Sequence, residues 1–204
     1  MDYFECKLVE YANRYHARPS MYEGRAHRHA QNDGHPYIRR NPEKCILCGL
    51  CVRMCDEVVG AGAIGLAGRG FDTVVQPAFS TPTNLRFAGD PGDADLGDAG
   101  CVSCGMCAAL CPTGALIETQ ALAKQVPLKE KFVEAACPHC EIACKVKLAK
   151  KGSLHVRVLP AGEGGLLCRK GRFGFDGKTP LPDVPEDIEQ RYLERIARAN
   201  GFTP

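Results

Sequence analysis

The spacing Cys-x2-Cys-x2-Cys-x3-Cys occurs twice in this chain of 204 residues, as Cys45, Cys48, Cys51 and Cys55 and again as Cys101, Cys104, Cys107 and Cys111. Each run puts three thiols two residues apart on a stretch that must turn tightly for the side chains to converge. The chain has 13 cysteines in all, and an odd count argues against a pure disulfide framework. Residues 1–10 carry neither the basic n-region nor the apolar h-region of an export signal. No run of 18 apolar residues occurs, so no membrane span is expected. Cysteine-rich chains without an export signal are expected to be cytoplasmic and to use their thiols as metal ligands.

The triplet-plus-one spacing is the bacterial ferredoxin run, in which the fourth cysteine ligates the other cluster. Three thiolates on one loop reach three corners of a cubane, and the fourth, at the start of a short helix, points away. This predicts one [4Fe–4S] cluster on Cys45, Cys48, Cys51 and Cys111, and a second on Cys101, Cys104, Cys107 and Cys55. Zinc ribbons use pairs of Cys-x2-Cys, not triplets plus one. Gly49 and Gly105 follow the second cysteine of each run, where a missing Cβ lets backbone amides approach cluster sulfides. Pro112 shapes the turn after Cys111 and removes one donor.

A third group comprises Cys137, Cys140, Cys144 and the distant Cys168. Four thiolates are again available, and the intervening segment would fold back to bring Cys168 to the other three. Spacing alone leaves zinc as an alternative here, with His139 as a substitute ligand. A third [4Fe–4S] cluster is the preferred reading.

Apolar residues make up 45% of the chain and aromatics 7%, with no Trp, 22 Gly and 14 Pro. That composition predicts a thin core supplemented by metal–thiolate bonds, whose formation contributes folding energy. Net charge is +2, but residues 56–100 carry seven acidic and two basic side chains, and residues 121–178 twelve basic and five acidic ones. Such a dipolar layout can orient docking to partners, or be two solvated faces. No Gly-x-Gly-x-x-Gly fingerprint, P-loop or Ser/His/Asp arrangement is present, so nicotinamide or flavin would bind elsewhere. The six histidines show no metal-ligand spacing, and nucleic-acid binding has no support beyond the basic third unit.

The expected fold class is α+β, with a bacterial-type 2[4Fe–4S] ferredoxin-like module followed by a small β-rich [4Fe–4S] domain. Residues 1–40 read as a helix over 3–15 (Phe4, Leu8, Tyr11 and Tyr15 on one stripe) and an extended connector. Residues 41–125 hold the two cysteine runs. Between the runs lie a hairpin of 63–66 with 73–76 and an acidic loop at 88–100; short helices are expected at 105–110 and 114–124. Residues 126–178 form the third unit, with a hairpin around Lys151-Gly-Ser153. Residues 179–204 are a linker and a helix over 185–200, with Ile188, Tyr192 and Ile196 on one face and Gly201 as its stop.

The segment Asn41-Pro-Glu-Lys-Cys-Ile-Leu-Cys-Gly-Leu-Cys-Val-Arg-Met-Cys55, with Glu57-Val-Val-Gly60 and Gly70-Phe-Asp-Thr-Val74, resembles the N-terminal iron–sulfur segment of NADH-dependent formate dehydrogenase α-subunits. The large iron–sulfur subunit of NADH:quinone oxidoreductase and iron-only hydrogenases have related segments. Cys137-Pro-His-Cys-Glu-Ile-Ala-Cys144 and Leu167-Cys-Arg-Lys-Gly-Arg-Phe-Gly-Phe-Asp176 are similar to the iron–sulfur domain that opens molybdopterin oxidoreductases. That resemblance implies Lys170 as an electron relay beside the third cluster. Family members start with a plant-type [2Fe–2S] domain and a His-plus-three-Cys cluster ending in a Cys-x-Leu element; Cys6-Lys7-Leu8 looks like that ending, and Cys6 is expected to be a buried thiol, the alternative being that it helps complete a site with a partner chain. Only 36 residues follow Cys168, too few for a pterin-binding catalytic domain. The expected function is therefore an electron-transfer subunit with no catalytic site of its own. It would carry single electrons through three [4Fe–4S] clusters between an NAD(P)H-oxidising flavoprotein and a hydrogenase, formate dehydrogenase or other reductase. A split molybdenum or tungsten pterin oxidoreductase and a non-redox zinc scaffold are the alternatives.

Overall fold

A computed structural model of the protein describes residues 7–18, 24, 34–78, 99–119, 131–151, 154–162, 165–175, 181 and 183–202. Phe4, Cys6, residues 88–98 of the acidic loop, residues 120–124 of an expected helix and the Gly152-Ser153 turn lie outside the described residues.

Helix α1 spans Lys7–Arg14, and Tyr11 and Tyr15 of the expected stripe are exposed. Strand β1, Ile38–Arg40, falls in what reads by sequence as an extended connector. It pairs antiparallel with β4, Leu116–Glu118, where the apolar run suggests a helix. Short apolar runs do not separate strand from helix by periodicity; here the partner strand, far away in sequence, decides. The pairing continues at both ends, through Asn41 N–H to Ala115 O at 2.7 Å and Thr119 N–H to Tyr37 O at 2.9 Å. The ladder therefore holds the chain entering the first cysteine run against the chain leaving the second.

Helix α2, Leu50–Arg53, continues into a wider π-helical turn, Met54–Val59. Strands β2 (Ile64–Ala67) and β3 (Val74–Pro77) form the expected hairpin, shifted by one residue. Helix α3 is Met106–Leu110. Beyond it lies a three-stranded antiparallel sheet of β5 (Lys131–Ala136), β6 (Lys145–Lys151) and β7 (Leu154–Pro160), in the order β5-β6-β7. β6 and β7 are the expected hairpin. β5 has no clean alternation, since Phe132 and Val133 are both exposed on this edge strand. Sequence period could not find it.

A short helix α4, Arg169–Arg172, follows Cys168, and the chain ends on α5, Glu186–Ala199. α5 buries the Tyr192 and Ile196 face, as its 3.6-residue spacing requires. It stops in a Schellman arrangement: Phe202 N–H bonds Ala197 O at 2.8 Å and Gly201 N–H bonds Arg198 O at 3.1 Å. Two apolar clusters form the core. One gathers Tyr37, Ile38, Ile64, Val75 and Leu116 around Cys51, Cys55 and Cys107. The other joins Val59, Val102 and Cys104 to Cys137, Cys144, Val146, Leu167 and the α5 face. Phe173 belongs to the first cluster, stacking on Tyr37 at 4.5 Å with 7° between the planes. The architecture is a mixed one of short helices and small antiparallel sheets built round a ferredoxin-like cysteine framework.

Candidate metal centres

The two cysteine loops are built alike. In the first, Leu47 (φ 56) and Gly49 (φ 73) both take the left-handed backbone; in the second, Ser103 (φ 52) and Gly105 (φ 67) do so. Left-handed residues on either side of Cys48 and of Cys104 curl each loop. A Leu or Ser held there carries steric strain that persists only where the surroundings fix it. For Ser103 those surroundings include a buried imidazole. His35 Nδ1 accepts from Tyr37 N–H at 3.2 Å and Ile38 N–H at 3.1 Å, leaving Nε2 to donate to Ser103 Oγ at 3.2 Å. Sequence spacing gives His35 no role; its one signal is a position just before an apolar pair.

The curled loops aim amides at sulfur. Leu47 N–H reaches Cys45 Sγ and Ser103 N–H reaches Cys101 Sγ, each at 3.4 Å. The fourth cysteine of each run is served from the turn that leads into the following strand. Ala63 N–H bonds Cys55 Sγ at 3.2 Å. At Cys111, burial pushes the thiol up, but the amides of Leu116, Thr113 and Ala115 and the Thr113 hydroxyl outweigh it and hold the thiol below its usual range.

Each recess takes three thiols from one run and the fourth from the other. Cys45, Cys48, Cys51 and Cys111 line one recess of about 450 Å³, with Ile46, Leu50, Val75 and Leu116 as its apolar wall. Cys55, Cys101, Cys104 and Cys107 line a second of about 310 Å³, walled by Ile38, Val59, Ile64 and Val102. The cause is the β1–β4 ladder, which sets the Cys111 turn beside the Cys45 loop, and the return of the chain after Cys55. Burial pushes Cys51 up to about 11, helped by the neighbouring Cys45. Burial likewise lifts Cys104 to about 11 and Cys107 well above its ordinary value. Cys101 and Cys55 of its own set, and Cys51 of the other, add to the lift at Cys107, so the two recesses adjoin.

The third group also converges. Cys137 N–H bonds Cys144 O at 2.8 Å, closing its loop, and Ala143 (φ 46) is left-handed just before Cys144. Burial raises Cys144 to about 11, and the mutual repulsion of Cys137, Cys140 and Cys168 adds to it. Cys168 caps α4, its sulfur accepting from Gly171 N–H at 3.5 Å. A Cβ on Gly171 would stand 3.3 Å from Cys137 Sγ. Lys170, the expected relay, is exposed on α4. His139 is exposed and packs edge-on against Phe175 at 5.8 Å.

This donor set fits a polynuclear metal–sulfur group. Four thiols in an apolar pocket resist ionising together, and a cationic core reverses that preference by direct ligation. Among the described residues no three His, Cys, Asp or Glu side chains are grouped to hold a single metal ion. In the first two groups the sulfurs line a recess.

Comparison with known proteins agrees with this geometry. Residues 44–115 match the 4Fe-4S dicluster domain family. The chain is 36% identical over 145 residues to an NADH-quinone oxidoreductase subunit of Rhizobium meliloti, covering 69% of this chain and 15% of that protein. It is 39% identical over 114 residues to the HndD subunit of the NADP-reducing hydrogenase of Solidesulfovibrio fructosivorans, covering 56% and 17%. A putative formate dehydrogenase of Staphylococcus haemolyticus is 26% identical over 214 residues, covering 80% and 20%. The chain thus spans between about a seventh and a fifth of the length of these curated relatives. Binding of 4Fe–4S clusters follows from the dicluster domain and these relatives.

Proposed function

We propose that this chain, with its 4Fe–4S dicluster segment as the premise, conducts single electrons through three [4Fe–4S] clusters arranged in series. The first is assigned to Cys45, Cys48, Cys51 and Cys111, the second to Cys101, Cys104, Cys107 and Cys55, and the third to Cys137, Cys140, Cys144 and Cys168. The third would sit in a small β-rich domain of its own, over 126–178.

One observation carries the serial order. Cys48 of the first set and Cys140 of the third are exposed, whereas in the second set Cys55, Cys104 and Cys107 are buried and Cys101 half-buried. A chain of carriers needs accessible ends and an enclosed middle. Each cluster, when bound, supplies a one-electron couple. The chain's own residues hold the sulfurs, exclude water with the apolar walls, and donate N–H groups to the ligands at Cys45, Cys55, Cys101, Cys111 and Cys168. Such donors, with burial, set cluster potentials. Lys170 would lie beside the third cluster as a cation that favours its reduced form.

The end at Cys48 is rimmed by exposed Ile46, Leu47 and Leu50, a surface suited to a protein partner. The relatives' names support a NAD(P)H-oxidising flavoprotein and a hydrogenase, dehydrogenase or reductase as the two partners. Among the described residues no helix is long and apolar enough to cross a membrane, and a reducing cytoplasm would suit so many thiols.

Anaerobic purification with metal analysis tests the reading. Roughly twelve Fe per chain with matching sulfide is expected for three cubanes, together with reducible paramagnetic signals from three centres. Stoichiometric zinc without iron would overturn it.

A further inference from the structure

The first two cysteine loops place the same kind of amide on the same kind of sulfur, but they hold it differently. Leu47 N–H and Ser103 N–H each lie 3.4 Å from the first sulfur of their run. Both residues are left-handed, with φ 56 at Leu47 and φ 52 at Ser103, a conformation that neither residue type favours. Leu47 is 43% exposed, and its side chain has no polar atom by which to be gripped. Ser103 is 0% exposed, and its hydroxyl is bonded to the ring of His35, 68 residues earlier in the chain.

The imidazole can act there only as a donor. Its Nδ1 accepts the Tyr37 and Ile38 amides at 3.2 and 3.1 Å, so that nitrogen carries no hydrogen and the ring proton of the neutral form is on Nε2. The ring is 1% exposed and meets the Tyr37 ring edge-on at 5.9 Å. Its position is thus fixed by the chain entering β1. Capping those two amides needs only an acceptor, which an Asn supplies to its own backbone in a turn. What the imidazole adds is a second nitrogen across the ring, and at 3.2 Å that nitrogen reaches Ser103 Oγ in the second cysteine loop.

We propose that His35 is a positioning residue of the second cluster: by holding Ser103 Oγ it keeps Ser103 left-handed and its N–H on Cys101 Sγ, and so raises that cluster's midpoint potential. This deepens the assignment of Cys101 to the second cluster and rests on it. An amide that donates to a ligand sulfur favours the more negative, reduced cluster, and the groups behind the ligands decide how well it is aimed. Neither His35 nor Ser103 exchanges an electron or a proton in the transfer. The pair acts through the direction of one backbone N–H.

The test is a redox titration of the whole chain, anaerobically reconstituted with iron and sulfide, followed by EPR at each potential. A wild-type chain without a centre that Cys104→Ser alters overturns the cluster assignment, and this proposal with it. His35→Asn keeps an acceptor for the Tyr37 and Ile38 amides and gives up the reach to Ser103. The midpoint potential of that one centre should fall while the others stay. Adding Ser103→Gly, which takes the left-handed backbone unaided, should restore it. Unchanged potentials at full iron content overturn the proposal, as does an equal shift of every centre or a double variant that stays low. Should His35→Asn lose iron, Ser103→Ala and Ser103→Gly decide with His35 in place. Both remove the hydroxyl, so backbone handedness is what separates them. Ala should lower the potential of that centre or its iron content, and Gly should keep the wild-type values; equal behaviour of the two overturns the role of His35.

Discussion

Arg172 and Glu118 form a buried ion pair that joins the third cysteine group to the ferredoxin-like part. The Arg172 guanidinium, from α4, bonds the Glu118 carboxylate on β4, and its other terminal nitrogen donates to Val158 O on β7. The side chains are 0% and 6% exposed. A cation and an anion buried together stand only because each answers the other, since either alone would lack the hydration it had in water.

Breaking that pair from one side should therefore cost more than replacing both. Glu118→Ala is expected to destabilise the chain by about 3–5 kcal/mol, leaving a charge buried without its partner. The double variant Glu118→Leu with Arg172→Met should recover most of that loss. Urea unfolding of the three proteins under anaerobic conditions measures it. A double variant no more stable than Glu118→Ala would contradict the argument.

Cys111→Ser tests how the sulfurs are shared. Its neighbours in sequence are Cys101, Cys104 and Cys107, but it lines the recess with Cys45, Cys48 and Cys51. The EPR signal that disappears or changes should be the one also altered by Cys48→Ser. A loss shared instead with Cys104→Ser would mean that each run holds its own cluster.

Gly49 and Gly105 occupy matching places with matching left-handed backbones, yet their surroundings differ. Nothing lies within 4 Å of a Cβ on Gly49, whereas one on Gly105 meets Phe173 and Arg172 below 3 Å. Gly49→Ala should cost about 1–2 kcal/mol from backbone handedness alone. Gly105→Ala adds an overpacking cost of about 1–3 kcal/mol. Thermal unfolding compares them, and equal losses would show that the Gly105 contact yields freely.

Arg195 fastens α5 to the ferredoxin-like part. Its Nη1 donates to Glu57 O at 3.0 Å and Val58 O at 3.1 Å, at the carbonyl end of the π-helical turn. A Cβ on Gly60 would stand 2.5 Å from its guanidinium carbon. Arg195→Ala should lower stability by about 1 kcal/mol and speed proteolytic cutting between 176 and 186. An unchanged digestion pattern would mean that the apolar face of α5 holds it unaided.

Much of the site was legible before any coordinates, because ligand spacing is a local property. Three thiols two residues apart and a fourth three further on are a chemical pattern whatever surrounds them, so Cys45 to Cys55 and Cys101 to Cys111 declare themselves. The β6–β7 hairpin and the Tyr192 face of α5 were equally readable, since alternation and 3.6-residue spacing are written within one element. β4 and β5 were not. Leu116–Glu118 is too short to show a period, and Lys131–Ala136 exposes adjacent apolar residues on an edge.

The amino-acid order alone determined which atoms can bind metal and which short segments curl or pair, because those depend on neighbours a few bonds away. Only the tertiary structure decided that Ile38–Arg40 pairs with Leu116–Glu118, that Arg172 finds Glu118, and that the Tyr192 hydroxyl reaches Leu167 O. Each of these joins residues far apart along the chain. Such contacts form only when burial of apolar surface repays the entropy of closing long loops, a balance struck by the whole chain and not by any one stretch of it.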